Sequence, residues 1–168
     1  MDQLWAPWRE TYITKVIRNQ HQGCVFCRML NDKDDAKNFI FLKGKYTFAV
    51  LNIYPYSNGH CLILPYRHVS DISKMPKAAT YEMMDLLIET KYRLTKAVDA
   101  QGFNIGFNLG RIAGAGIPGH VHMHVVPRWR GDHNFMPVTG KTKIISQSLV
   151  NIYKLLIKPC ATAKTSKN

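Results

Sequence analysis

The stretch Gly119-His120-Val121-His122-Met123-His124-Val125-Val126-Pro127 sets histidines and apolar residues in alternation. Successive side chains of a β-strand point to opposite faces. The spacing therefore predicts a strand over 121–126, closed by Pro127, with His120, His122 and His124 on one face. Val121, Met123 and Val125 fall on the other face, the core side. Same-face neighbours in a strand lie roughly 7 Å apart, so the imidazoles form a row. A purely structural row needs a separate hydrogen-bond partner for each ring. Two chemical readings stand beside it: a metal site that uses several of the histidines, and nucleophilic catalysis by one imidazole oriented by the others.

The loop before this strand carries Gly110, Gly114, Gly116 and Gly119, with Ala113 and Ala115 among them. Such a loop is either a flexible connection or a place where backbone amides approach an anion closely. Further upstream, Ala79, Met83, Leu87, Leu94 and Val98 recur at helical spacing between polar residues such as Glu82, Asp85 and Glu89. With Pro76 at the first turn, they predict one long amphipathic helix to about Ala100. Phe39–Leu42 and Tyr46–Leu51, split by Lys43-Gly44-Lys45, read as a hairpin. His60–Leu64, stopped by Pro65, and Phe103–Leu109 read as strands, and Ile144–Leu156 as a C-terminal helix. Five strands with one long helix between them predict an α+β domain with a five-stranded antiparallel sheet, because a parallel sheet needs a crossover between most strand pairs. One domain over 1–157 is expected, with an aromatic N-terminal arm around Trp5, Trp8 and Tyr12 and a basic, disordered tail over 158–168.

Bulk properties bound the function. The 168 residues carry a formal net charge of +12, which attracts anions but does not choose among nucleotides, phosphorylated substrates and nucleic acid. The charge is not focused in a recognition motif and the aromatics form no stacking platform, so nucleic acid is disfavoured. No apolar run reaches the roughly 18 residues of a membrane span, and no secretory signal opens the chain. A cytoplasmic location is expected. Four cysteines do not suggest a disulfide framework. Cys24 and Cys27 have the spacing of a metal-binding half-site, with buried reduced thiols or a redox pair as alternatives, while Cys61 reads as core and Cys160 has no assigned role. His21 and His133 read as surface histidines.

His-Val-His-Met-His-Val-Val over 120–126 resembles the motif of the histidine triad (HIT) superfamily. Leu4-Trp5-Ala6-Pro7-Trp8-Arg9, Ala113-Gly114-Ala115-Gly116-Ile117-Pro118-Gly119-His120, Val126-Pro127-Arg128-Trp129 and Gly131–Val138 resemble its dinucleoside polyphosphate phosphorylase branch. The resemblance implies a HIT-like fold and attack by His122 on the α-phosphorus of a nucleotide, forming a nucleotidyl-histidine. It implies that His124 contacts phosphate or the leaving group, that His60 supports the proton network, that Asn52 binds ribose and that Asn108 meets phosphate oxygens. Relatives often carry Ser or Thr just before the triad. Here the stretch is Ile117-Pro118-Gly119, so the amides of Gly116 and Ile117 are expected to substitute. Trp129 is expected to stack near the base or rim the pocket. A protonated His124, or Arg128, is expected to help the polyphosphate leave.

The resemblance also supplies His68 and His120 as partners of Cys24 and Cys27 in a structural zinc site, with no open position for water. No organic cofactor is expected. Inorganic phosphate as acceptor gives a phosphorylase acting on diadenosine tetraphosphate (Ap4A). Water gives a hydrolase, and a nucleoside phosphoramidase or a nucleotide-binding regulatory protein are the other readings. A homodimer with two sheets joined into one is implied as well.

Overall fold

The computed structural model describes residues 23–132 and 145–158. The N-terminal arm, Cys160, His21, His133, Ile144 and most of the basic tail lie outside the described residues. Helix α1 (Val25–Asp32) is followed by strands β1 (Ile40–Lys43), β2 (Thr47–Leu51) and β3 (Cys61–Pro65). Helix α2 (Lys77–Val98), strands β4 (Gly102–Phe107) and β5 (Met123–Arg128), and helix α3 (Leu149–Leu156) complete the order. The strands form one five-stranded antiparallel sheet, ordered β1-β2-β3-β5-β4. The α+β architecture with one long helix and a C-terminal helix is therefore as the sequence predicts. No helix among the described residues is long and apolar enough to cross a membrane.

Alternation divides the sheet into two faces. Ala49, Leu51, Cys61, Ile63, Met123 and Val125 pack under α2 and α3. On α2 the buried stripe is Ala79, Met83, Leu86, Thr90 and Leu94, spaced three or four residues apart as one helix face requires. Ile152 and Leu156 bring α3 onto the same core. Phe48, Val50, Leu62 and Leu64 point the other way and pack with Phe26 of α1. His124 lies opposite Leu62, so it faces the α1 side of the sheet.

Two prolines expected to end strands lie inside them. Pro65 pairs with Thr47, and Pro127 with Phe103. The Tyr66 amide bonds to the Tyr46 carbonyl, so the backbone polar groups of Pro65 face the β5 side, past the last β3–β5 pair at Ile63–Met123. The Arg128 carbonyl bonds to the Gln101 amide, so Pro127 faces the β3 side, past the last pair there at Cys61–Val125. Neither proline removes a ladder bond, because among the described residues no strand stands where its missing N–H would point. Val121 is not in the strand as expected, since its amide bonds to the Val69 carbonyl at 2.7 Å instead. Helix α1 runs for eight residues and carries Cys27.

Candidate active site and metal centre

The first two triad histidines are linked through the main chain. His122 Nδ1 lies 2.8 Å from the His120 carbonyl oxygen. A carbonyl only accepts, so His122 donates from Nδ1 and its Nε2 keeps a lone pair. His122 is 7% exposed, and burial pushes its pKa below the ordinary histidine value, against the opposing effect of the carbonyl bond. A neutral imidazole with one fixed donor and one free lone pair has the chemistry a nucleophile requires.

His124 belongs to a second chain of bonds. His60 is fully buried, and its Nδ1 accepts from the Tyr56 amide at 3.0 Å. The Asn52 side-chain amide stands 3.3 Å from the same atom. The proton of His60 is therefore on Nε2, which donates to His124 Nδ1 at 3.0 Å. By the same logic the His124 proton sits on Nε2, 3.5 Å from the Asn108 amide, whose oxygen accepts it once the amide is turned over. Burial, then the neighbouring His122, push the His124 pKa down to about 4. His124 is thus neutral near pH 7 in the ligand-free protein and carries an N–H on Nε2, whereas a protonated ring was expected to help the polyphosphate leave. Arg128 is engaged with Asp132 and Asn104, which ties it to its own strand end.

Local backbone explains these placements. Gly59 has φ +72°, a left-handed conformation, and a Cβ there would lie 3.0 Å from the Leu94 side chain of α2. Only glycine lets the chain pass so close to α2 and enter β3 with His60 facing the histidines. In the loop before the triad, the amides of Gly114, Ala115 and His120 bond within the loop, and Gly116 and Ile117 lie between them. Ile117 packs on the α1-side core. Trp129 departs from expectation: its indole N–H donates to the Val98 carbonyl at the end of α2, on the opposite side of the sheet. Five positions past His124, its strand parity alone points that way.

Cys24, Cys27, His68 and His120 converge, with one ligand atom from each lying within 4.8 Å of all the others. Cys24 Sγ is 3.5 Å and Cys27 Sγ 3.8 Å from His120 Nδ1, and Cys27 Sγ is 3.4 Å from His68 Nδ1. His120 Nε2 donates to the Pro65 carbonyl at 2.9 Å, which leaves Nδ1 as the ligating atom. Burial opposes ionisation of Cys24, yet the bond to His120 outweighs it with backbone help and brings the thiol down to about 6. The cluster is fitted to hold a metal ion. Cys61, buried, donates to the Gly59 carbonyl, and burial raises its thiol far above the ordinary range, as befits a core residue.

Three contributors carry no motif in the sequence. Phe26, between the two cysteines, has its ring 5.4 Å from both His120 and His122. Tyr56 lies against His60 and His124. A cleft of about 650 Å³ opens beside α1, walled by Val25, Met29, Phe39 and Ile53 and edged by Arg28, Asp32, Lys37 and Asn38.

The HIT domain matches residues 33–131 of this chain. The chain is 35% identical over 162 residues to AP-4-A phosphorylase of Mycobacterium tuberculosis, covering 93% of this chain and 83% of that protein. It is 29% identical over 123 residues to adenosine 5'-monophosphoramidase HNT1 of Saccharomyces cerevisiae, 73% of each chain. A Zn-bound histidine triad family protein from Mycobacterium smegmatis superposes with a TM-score of 0.64 at 25% identity, covering 81% of this chain and 91% of that one. With its triad set as described, the chain belongs to the HIT superfamily of enzymes. Within that superfamily it is similar to the AP-4-A phosphorylase branch.

Proposed function

We propose that the protein transfers a nucleotidyl group from a dinucleoside polyphosphate such as Ap4A to inorganic phosphate, by way of His122. The observation that carries this reading is the His122 ring, with Nδ1–H held by the His120 carbonyl and Nε2 left with its lone pair. Similarity to the AP-4-A phosphorylase of M. tuberculosis supports the substrate class. Nε2 attacks the α-phosphorus, a P–N bond forms as the P–O bond to the polyphosphate breaks, and ATP leaves. Phosphate oxygen then attacks the same phosphorus, the P–N bond breaks, and ADP is released. His124 donates Nε2–H to a phosphoryl or leaving-group oxygen. The amides of Gly116 and Ile117 and the Asn108 side chain meet phosphate oxygens. Asn52 binds the ribose, and the cleft lined by the next residue, Ile53, apolar with a polar and charged edge, takes the base. Trp129 is left out of the pocket of its own subunit.

The metal is zinc in this proposal, held by Cys24, Cys27, His68 and His120. Tetrahedral zinc with bonds of about 2.3 Å to sulfur and 2.0 Å to nitrogen sets sulfur–nitrogen edges near 3.6 Å. The 3.4, 3.5 and 3.8 Å separations here match those edges. Four protein ligands fill the sphere, so the ion is structural. The chain also forms a homodimer through β4, whose outer edge has no strand partner among the described residues. Ile105 on β4 and Tyr81 and Ile88 on α2 are exposed apolar groups available to that interface.

The test is product analysis with Ap4A. ADP and ATP formed only when phosphate is present supports the phosphorylase. AMP and ATP in its absence means hydrolysis and overturns the choice of acceptor. Cleavage confined to adenosine phosphoramidate would favour the chemistry named for the yeast relative.

A further inference from the structure

The Tyr56 side chain belongs to no part of the chemistry assigned above, yet it touches two members of it. Its ring centroid lies 4.7 Å from that of His60, tilted by 31°, and 5.7 Å from that of His124, nearly parallel at 19°. Its main-chain amide donates to His60 Nδ1. The same residue therefore fixes the His60 tautomer through its backbone and bears on both rings through its side chain. It does so from a loop, with the residue 43% exposed at the open side of the pair.

We propose that Tyr56 is a positioning residue: its ring, laid against His60 and His124 together, holds the His60–His124 bond in register so that His124 presents Nε2–H to the bound phosphates. His60 is held at both ring nitrogens, but the His124 ring can pivot about its bond to His60 unless a further surface stops it. β3 and β5 fix the Cα positions of this pair but not the ring torsions, since the terminal torsion of a histidine is broad. Tyr56 supplies a flat surface across both rings. Its ring also shields His124 from water, in keeping with the depressed His124 pKa. Facing His124 among the described residues are His122 just before β5, His60 just before β3 and Tyr56 from the loop, with the uncharged Asn108 just after β4. The titratable groups named are the imidazoles of His122 and His60, and His122 itself lowers the His124 pKa, so the ring tautomers rather than the titration of His124 report on Tyr56.

The turnover part of this inference rests on the proposed nucleotidyl transfer, whereas the spectroscopic part does not. The experiment compares the full chain, as purified with its metal, with Tyr56→Phe and Tyr56→Leu. All three keep the main-chain amide. Long-range proton–nitrogen spectra of histidine-labelled, ligand-free protein report which ring nitrogen carries each proton. The Phe variant is expected to match the parent in tautomers and in kcat with Ap4A. The Leu variant is expected to keep the His60 tautomer, which the main-chain amide fixes, to lose the single tautomer of His124 and to lower kcat by roughly ten- to hundredfold, the scale of an ångström of misplacement, with KM little changed. Wild-type spectra and kcat in the Leu variant overturn the proposal. So does a Phe variant as defective as Leu, because that assigns the role to the hydroxyl. Tyr56→Ala repeats the comparison should Leu disturb the loop. Loss of the single His124 tautomer in a protein whose parent ignores Ap4A would sustain the positioning role while refuting the substrate.

Discussion

Removing the Glu82 carboxylate should loosen the β1–β2 hairpin by an amount that follows from its partners. Glu82 reaches from α2 to the hairpin turn and accepts from the amides of Lys45, Tyr46 and Thr47 and from the Thr47 hydroxyl, at 2.6–2.7 Å. Burial would raise its pKa, but the Thr47 hydroxyl and the three amides hold it below the ordinary value. Lys45 and Tyr46 are exposed, so their amides turn to water when the carboxylate goes. Thr47 is 0% exposed, and its amide and hydroxyl have no such recourse. Two stranded buried donors at about 1–3 kcal/mol each, partly relieved by movement, give about 2–4 kcal/mol for Glu82→Ala. Glu82→Gln keeps an oxygen for Thr47 but turns an NH2 group toward the Lys45 amide, and should cost about half as much. Urea unfolding is the assay. At roughly 2–4 °C per kcal/mol, the Ala variant should also melt about 5–15 °C lower. Because the folded pKa is depressed, this stabilisation is complete above the unfolded value near 4.3 and is lost as pH falls through the lower folded value. An Ala variant within about 0.5 kcal/mol of the parent, the range of ordinary surface substitutions, refutes the reasoning.

Other consequences can be checked separately. Both His122 and His124 have depressed pKa values, the latter about 4, so they stay neutral as pH drops through the ordinary histidine value. The acid limb of kcat/KM, which reports the free enzyme, should lie well below about 6.5, and a limb at or above it would contradict the neutral pair. Stripping metal with a chelator should lower Tm by roughly 10 °C, about 3 kcal/mol, and re-addition of zinc should restore it, while Cys27→Ser should make Tm indifferent to both. Ile105→Lys places a charge on the exposed edge strand and should shift the protein from dimer to monomer in light scattering; an unchanged dimer moves the interface elsewhere.

The parts of this molecule that alternate or recur were legible in its sequence. Period-two spacing put His122 and His124 on one face and Met123 and Val125 in the core, as found. Helical spacing from Ala79 to Leu94 identified α2. Strand ends were less legible, because Pro65 and Pro127 end a strand only if a neighbour needs their N–H, and neighbours are a property of the sheet. Glu82 read as a solvated helix residue, since nothing in its own segment shows that a hairpin turn will present three amides to it. Phe26 and Tyr56 were likewise invisible as site residues, their role arising from rings brought together across long stretches of chain. Trp129 was misplaced for an avoidable reason: strand parity put it on the helix side.

The central claim is that His122 Nε2 becomes covalently attached to the nucleotide. The most direct measurement is intact-protein and peptide mass analysis after rapid mixing with Ap4A in phosphate-free buffer and quenching at alkaline pH, which preserves a phosphorus–nitrogen bond. One adenylyl group on the peptide that bears His122, discharged as ADP when phosphate is added and absent from His122→Ala, is the predicted result. Full turnover by His122→Ala, or adenylyl transfer to His124 in the unmodified protein, contradicts the account.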